Sequence, residues 1–125
     1  MIKHAIPATR ETPEVILDHE EGFISIKGRS FSEKTAEFYE PIFDWVIAYL
    51  KSPQLQTIVE LEIEFLNSAS NKLINDLLKK IKASAVSKNN ITVKWRYQKD
   101  DDDILFYGRD LEEYSGLRFE YVALG

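Results

Sequence analysis

The chain has 125 residues, no cysteine, 44% hydrophobic and 30% charged residues, and a formal net charge of −5. That length fits one domain, residues 1–125, able to bury its own core, and the absence of cysteine excludes disulfides and thiolate metal sites and suits a reducing, cytoplasmic setting. The sixteen basic residues are scattered among acids rather than gathered in the stripe that nucleic acid requires, and no stretch approaches the roughly 18 apolar residues of a membrane span.

The opening "MIKHAIPATRETP" carries no long apolar run, so it does not read as a signal peptide. Residues 1–11 are expected to be loosely ordered. Val15 to Asp18 reads as a short strand, His19 to Gly22 as a polar turn and Phe23 to Lys27 as a second strand, together a hairpin. The period then changes. Phe38, Ile42, Trp45, Val46 and Tyr49 recur at helical spacing, with Ser32 as the expected N-cap and Glu33 in the first turn. Pro41 lies inside this pattern and predicts a kink or a break.

Thr57 to Leu66 alternates. Val59, Leu61, Ile63 and Phe65 share one face, while Glu60, Glu62 and Glu64 share the other, the signature of a half-buried strand. A helix is predicted from about Ser68 to Ser84, its apolar stripe formed by Leu73, Ile74, Leu77, Leu78 and Ile81. Ile91, Val93, Trp95 and Tyr97 alternate with Thr92, Lys94 and Arg96 in another half-buried strand. A short helix from about Asp102 to Tyr114 and a strand from Phe119 to Leu124 complete the chain.

The order is β-β-α-β-α-β-α-β. Strands joined through helices are parallel with right-handed crossovers. Three glutamates on one strand face are costly to bury, so that face is expected to stay open to water, with the glutamates meeting Lys94 and Arg96 across the sheet. The predicted fold class is therefore α/β: a two-layer domain with a mixed sheet and helices mainly on one face.

Such a fold gathers its strand-to-helix loops at the carboxyl edge, where ligands and partners bind. The three loops are "GRSFS" (28–32), "NSAS" (67–70) and "QKDDDD" (98–103). The bland reading of "NSAS" is a helix N-cap, whose side-chain oxygen satisfies a free backbone N–H. The sharper reading is a phosphoacceptor serine, Ser68 or alternatively Ser70, because a helix start tolerates an anion. The two are compatible. Asp100 to Asp103 invite a magnesium or calcium reading, but lack the spacing and glycine of a calcium loop and fit better as acids feeding a helix start. Arg29 is a candidate bidentate phosphate contact, or simply a surface arginine. His4 and His19 flank no triad or metal pair, and Glu33, Glu37 and Asp44 read as solvated carboxylates. No phosphate-binding or nucleophile-elbow glycine motif occurs, so no catalytic residue, metal or cofactor is assigned. Trp45 and Trp95 fall on core faces.

The segments "GRSFSEKTAEFYEPIFDWVIAYL", "LEIEFLNSASNKLI", "VKWRYQKDDDDILFYGRDLEE" and "RFEYVAL", taken in order, resemble the SiaC family of bacterial regulatory phosphoproteins from about Thr12 to Leu124. The resemblance implies a STAS-like fold and a non-enzymatic partner-switching role in signal transduction. A dedicated Ser/Thr kinase would modify the protein, and a metal-dependent phosphatase would reverse it. The unmodified form would bind a diguanylate cyclase and promote cyclic-di-GMP synthesis, favouring biofilm. The phosphoacceptor follows Asn in an "FNTSS"-like motif, which places it at Ser68 after Asn67. Here serine stands for the usual threonine, and Ala69 for a serine. The family's "SYPEN" pattern reads "SFSEK". Arg29, Ser30, Phe31, Asn67, Ser68, Ala69, Ser70, Asp100 and Asp101 form the expected partner-binding edge. A constitutive interaction or oligomerisation domain is the alternative, and a small metal-dependent enzyme using Asp100 to Asp103 a more distant one.

Overall fold

The computed structural model describes residues 3–84 and 90–125. Six strands form one sheet: β1 (His4–Ile6), β2 (Glu14–Asp18), β3 (Phe23–Ser30), β4 (Gln56–Leu66), β5 (Asn90–Gln98) and β6 (Phe119–Leu124). Three helices, α1 (Thr35–Leu50), α2 (Ser68–Ser84) and α3 (Asp102–Ser115), connect the last four. The strands lie in sequence order across the sheet. β1, β2 and β3 pair antiparallel, and β3 to β6 pair parallel. A right-handed crossover that steps repeatedly in the same direction returns each helix to the same side. Accordingly α1 packs on α2 and α2 on α3, forming one layer.

The sequence periods decide what that layer covers. Val59, Leu61 and Ile63 of β4, Val93 and Trp95 of β5, and Ile24 and Ile26 of β3 are buried beneath it. Ile42, Val46, Ile74, Leu77, Leu78 and Ile81 meet them from the helices. Both tryptophans are core residues, Trp95 fully enclosed with its Nε1 donating to the Ile104 carbonyl at 3.0 Å. The β2–β3 turn closes at Gly22, whose φ of +62° is the left-handed region that suits glycine. A Cβ there would lie 2.4 Å from the Gln56 carbonyl oxygen.

The opposite face carries the three glutamates. Arg96 approaches Glu62 at 3.0 Å and Glu60 at 3.6 Å, Lys27 approaches Glu62 at 3.7 Å and Arg29 approaches Glu64 at 3.5 Å. The expected ladder therefore exists, but β3 supplies two of its cations. Lys94, although in register with Glu60, forms none of the ion pairs among the described residues.

Three local expectations need correction. Within the segment expected to be loosely ordered, His4–Ile6 adds a strand to β2; residues 1–2 lie outside the described residues. Helix α1 begins at Thr35, not beside Ser32. Ser32 instead accepts the Lys34 N–H at 3.0 Å, and its carbonyl accepts the Thr35 hydroxyl, so a short turn precedes the helix. Pro41 does not end α1, which runs on to Leu50. The proline is exposed, so the carbonyl its missing N–H leaves free can face water.

Candidate functional site

Strands β3, β4 and β5 end side by side at the carboxyl edge, and the "NSAS" loop leaves from the middle one. The Asn67 N–H donates to the Ser30 carbonyl at 3.0 Å, tying the loop to the end of β3. Asn67 then caps α2, its Oδ1 accepting the Ser70 N–H at 2.9 Å while its carbonyl accepts the Asn71 N–H. The cap of the bland reading is thus the asparagine, and both serines are left for other uses.

Those uses differ. Ser70 is completely buried. Its hydroxyl accepts from Ser30 Oγ at 2.7 Å, and Ser30 Oγ lies 2.8 Å from the Tyr39 hydroxyl of α1. With the Ser30 proton directed at Ser70, Tyr39 is the donor to Ser30. Burial pushes the Tyr39 hydroxyl up to about 12. This hydroxyl chain clamps β3, α1 and α2 together beneath the loop. Ser68, by contrast, is exposed at the first residue of α2. The leading N–H groups of a helix have no intrahelical acceptor and carry the positive end of its dipole. Of the two candidate serines, only Ser68 stands within reach of a kinase in this conformation.

The remaining residues of the expected edge separate in the same way. Ala69 and Asp100 are exposed. Ser30 and Ser70 are buried and cannot touch a partner. Arg29 lies along the open sheet face, 3.5 Å from Glu64 in an exposed ion pair. Asp101 caps α3 by accepting the Ile104 N–H at 3.0 Å, and Asp102 and Asp103 occupy that helix's first turn. Asp101 also lines a hollow of about 220 Å³ with Glu62, Glu64 and Arg96, on the ion-ladder side of the edge. Among the described residues no group of three His, Cys, Asp or Glu side chains is arranged to hold a metal ion.

One residue that the strand pattern assigned to the core belongs here, and Tyr39, which no pattern singled out, joins it. Phe65 continues the apolar alternation of β4 and reads as core, yet it is 54% exposed. It stands at the strand end, just past the register shift at Gly28 and Arg29. Phe31 meets it edge-on, ring centroids 5.6 Å apart, so an aromatic pair flanks the loop that bears Ser68. Tyr39 lies beside Phe38 on α1, and no periodicity announces a hydroxyl chain.

Comparison with known proteins settles the lineage of this arrangement. The family model described as "SiaC family regulatory phosphoprotein" matches residues 6–124. The chain belongs to the SiaC family. It is 25% identical over 118 residues to an uncharacterised protein of Pseudomonas aeruginosa (strain UCBPP-PA14), a match covering 94% of each chain. The crystal structure of apo-SiaC from Pseudomonas aeruginosa superposes with a TM-score of 0.82 at 26% identity, covering 98% of this chain and 100% of that one. SiaC in the crystal structure of the diguanylate cyclase SiaD with its activator, from the same organism, superposes with a TM-score of 0.89 at 24% identity. That match covers 97% of this chain and 99% of the other. Like these SiaC structures, the present one is a single α/β domain with a mixed six-stranded sheet and three helices. No helix among the described residues is long and apolar enough to cross a membrane.

Proposed function

We propose that this protein is a non-enzymatic regulator whose docking on a diguanylate cyclase is switched by reversible phosphorylation of Ser68. The observation that carries the reading is the exposed Ser68 hydroxyl at the start of α2, beside the Phe31–Phe65 pair, in a chain of a regulatory phosphoprotein family. The Pseudomonas SiaC of similar fold is the activator of the cyclase SiaD. A phosphate brings about −1.5 to −2 charges. At the α2 start the dipole accommodates that charge and the helix persists. A partner that covers Phe65 would have to strip water from the dianion next to it, which is unfavourable. The unmodified form is the one that binds, a Ser/Thr kinase closes the surface, and a metal-dependent phosphatase reopens it. The protein works in the cytoplasm, where those enzymes and nucleotides are found.

The test pairs phosphosite mapping with calorimetry. Treatment with the partner kinase and ATP should add one phosphate at Ser68, and affinity for the cyclase should fall at least about tenfold, as expected when a buried contact acquires an unpaired charge. No modification of Ser68 by a demonstrably active kinase would overturn the reading. Equal affinity before and after phosphatase treatment would instead favour a constitutive interaction domain.

A further inference from the structure

We infer that Lys72 is the residue that receives a phosphate on Ser68, and that it gives up its present partner, Asp76, to do so. The inference rests on the functional reading above, since it concerns the modified state of the same serine. In the unmodified protein Lys72 Nζ lies 2.9 Å from Asp76 Oδ2, one turn further along α2. Ser68 is one turn before Lys72 on the same helix. Residues four apart on a helix face each other, so Lys72 can reach either neighbour but not hold both equally.

Two effects favour the exchange. The first is charge. A phosphoserine carries about twice the charge of a carboxylate and offers three strong acceptor oxygens. The second is direction. An acidic group N-terminal to a lysine at this spacing pairs better than the reverse order, in keeping with the helix dipole. Lys72–Asp76 has the less favourable order, and a phosphate at position 68 supplies the better one. Exposure sets no barrier to the swap, because the Lys72 side chain is 76% accessible and Asp76 42%.

Other charges at this edge are less well placed. Arg29 stands on β3 at the open sheet face, on another element and without the helical spacing to position 68. Asp100, Asp101, Asp102 and Asp103 repel an anion, and Asp101 is occupied as a cap. Lys34 and Lys99 stand in the two neighbouring loops, on other elements and without the helical spacing that presents Lys72 to position 68. The exchange has a consequence beyond the phosphate. Lys72 borders a groove of about 520 Å³ between α2 and α3, with Asn71, Asn75, Tyr107 and Tyr114. When Lys72 turns back to Ser68, that groove loses a cation at its mouth and the Asp76 carboxylate is released.

Phosphoserine can be introduced at position 68 by genetic encoding, so the measurement needs no kinase. The second pKa of the phosphate is then followed by phosphorus NMR across pH 4–8. A neighbouring cation favours the dianion and lowers that pKa. Lys72→Met should therefore raise it by about 0.3 pH unit, the size expected of a helical ion pair, while Asp76→Asn, which frees Lys72, lowers it. An unchanged value in Lys72→Met overturns the inference, as does an equal or larger rise in Lys34→Met or Lys99→Met. If the encoded phosphoserine at position 68 pairs with Lys72 while the serine of the unmodified protein resists every kinase, the functional reading falls and this one stands.

Discussion

Replacing Tyr39 with phenylalanine probes the hydroxyl chain that seats the Ser68 loop. The substitution keeps the ring and deletes the one group that donates to Ser30 at 2.8 Å. A buried hydrogen bond of this type is worth about 1 kcal/mol net, so Tyr39→Phe should be less stable by that amount at pH 7. The alkaline side makes the argument sharper. The Tyr39 hydroxyl is raised from 10.0 to about 12, chiefly by burial. The folded state therefore holds its proton more tightly than the unfolded state does. The stability this contributes is complete below pH 10 and is lost as pH climbs from 10 through 12. At pH 11 about one unit of the shift has been spent, roughly 1.4 kcal/mol. The wild-type and Tyr39→Phe stabilities should therefore converge above pH 10 and meet near pH 11. Urea unfolding at half-unit steps from pH 7 to 11, followed by circular dichroism, reads both curves. Titration of lysines and of the other tyrosines, Tyr121 included, is common to the two proteins and cancels in the difference. A gap that stays constant from pH 7 to 11 would refute the assignment of Tyr39 as a buried donor.

Two further substitutions test the frame around the site. Asn67→Ala removes the side-chain acceptor for the Ser70 N–H; it should cost about 1 kcal/mol and lower the melting temperature by a few degrees. A melting curve unchanged from wild type would mean that Asn67 is not the cap. Gly108→Ala would put a Cβ 2.5 Å from the enclosed Trp95 Nε1. Overpacking there should outweigh the alanine's helix preference of about 1 kcal/mol, giving a net destabilisation in urea and a change in tryptophan fluorescence, whereas a stabilised variant would show that α3 does not press on Trp95.

Much of this architecture is written in period and punctuation. The alternation of β4 assigns Val59, Leu61 and Ile63 to the helix layer and leaves the glutamates outside, and the structure places them so. The start of α2 follows from the same reasoning, because a polar cap precedes a strongly amphipathic run. What escaped is what depends on neighbours distant in sequence. Phe65 obeys the strand period, but whether a residue at that phase is covered depends on where the helix layer stops, which no local pattern records. Ser30, Tyr39 and Ser70 meet across β3, α1 and α2, and each alone is an ordinary polar residue. The pairing of Arg29 is equally invisible locally, because Glu64 belongs to the next strand across a register shift. Pro41 does not break α1 because the carbonyl it leaves without a donor lies on the exposed side of the helix, which the residue type alone does not record.

The sequential order of the sheet carries a consequence for how the molecule assembles and loosens. Because every strand lies against its immediate predecessor in the chain, each pairing closes a loop no longer than one helical connection, and growth can proceed by accretion from the centre without threading. Such chains pay a modest loop-closure entropy for each step. Protection against amide hydrogen exchange should accordingly be greatest in β4 and β5, each flanked by parallel neighbours on both sides, and fade toward the three-residue outer strand β1, the first seam to open.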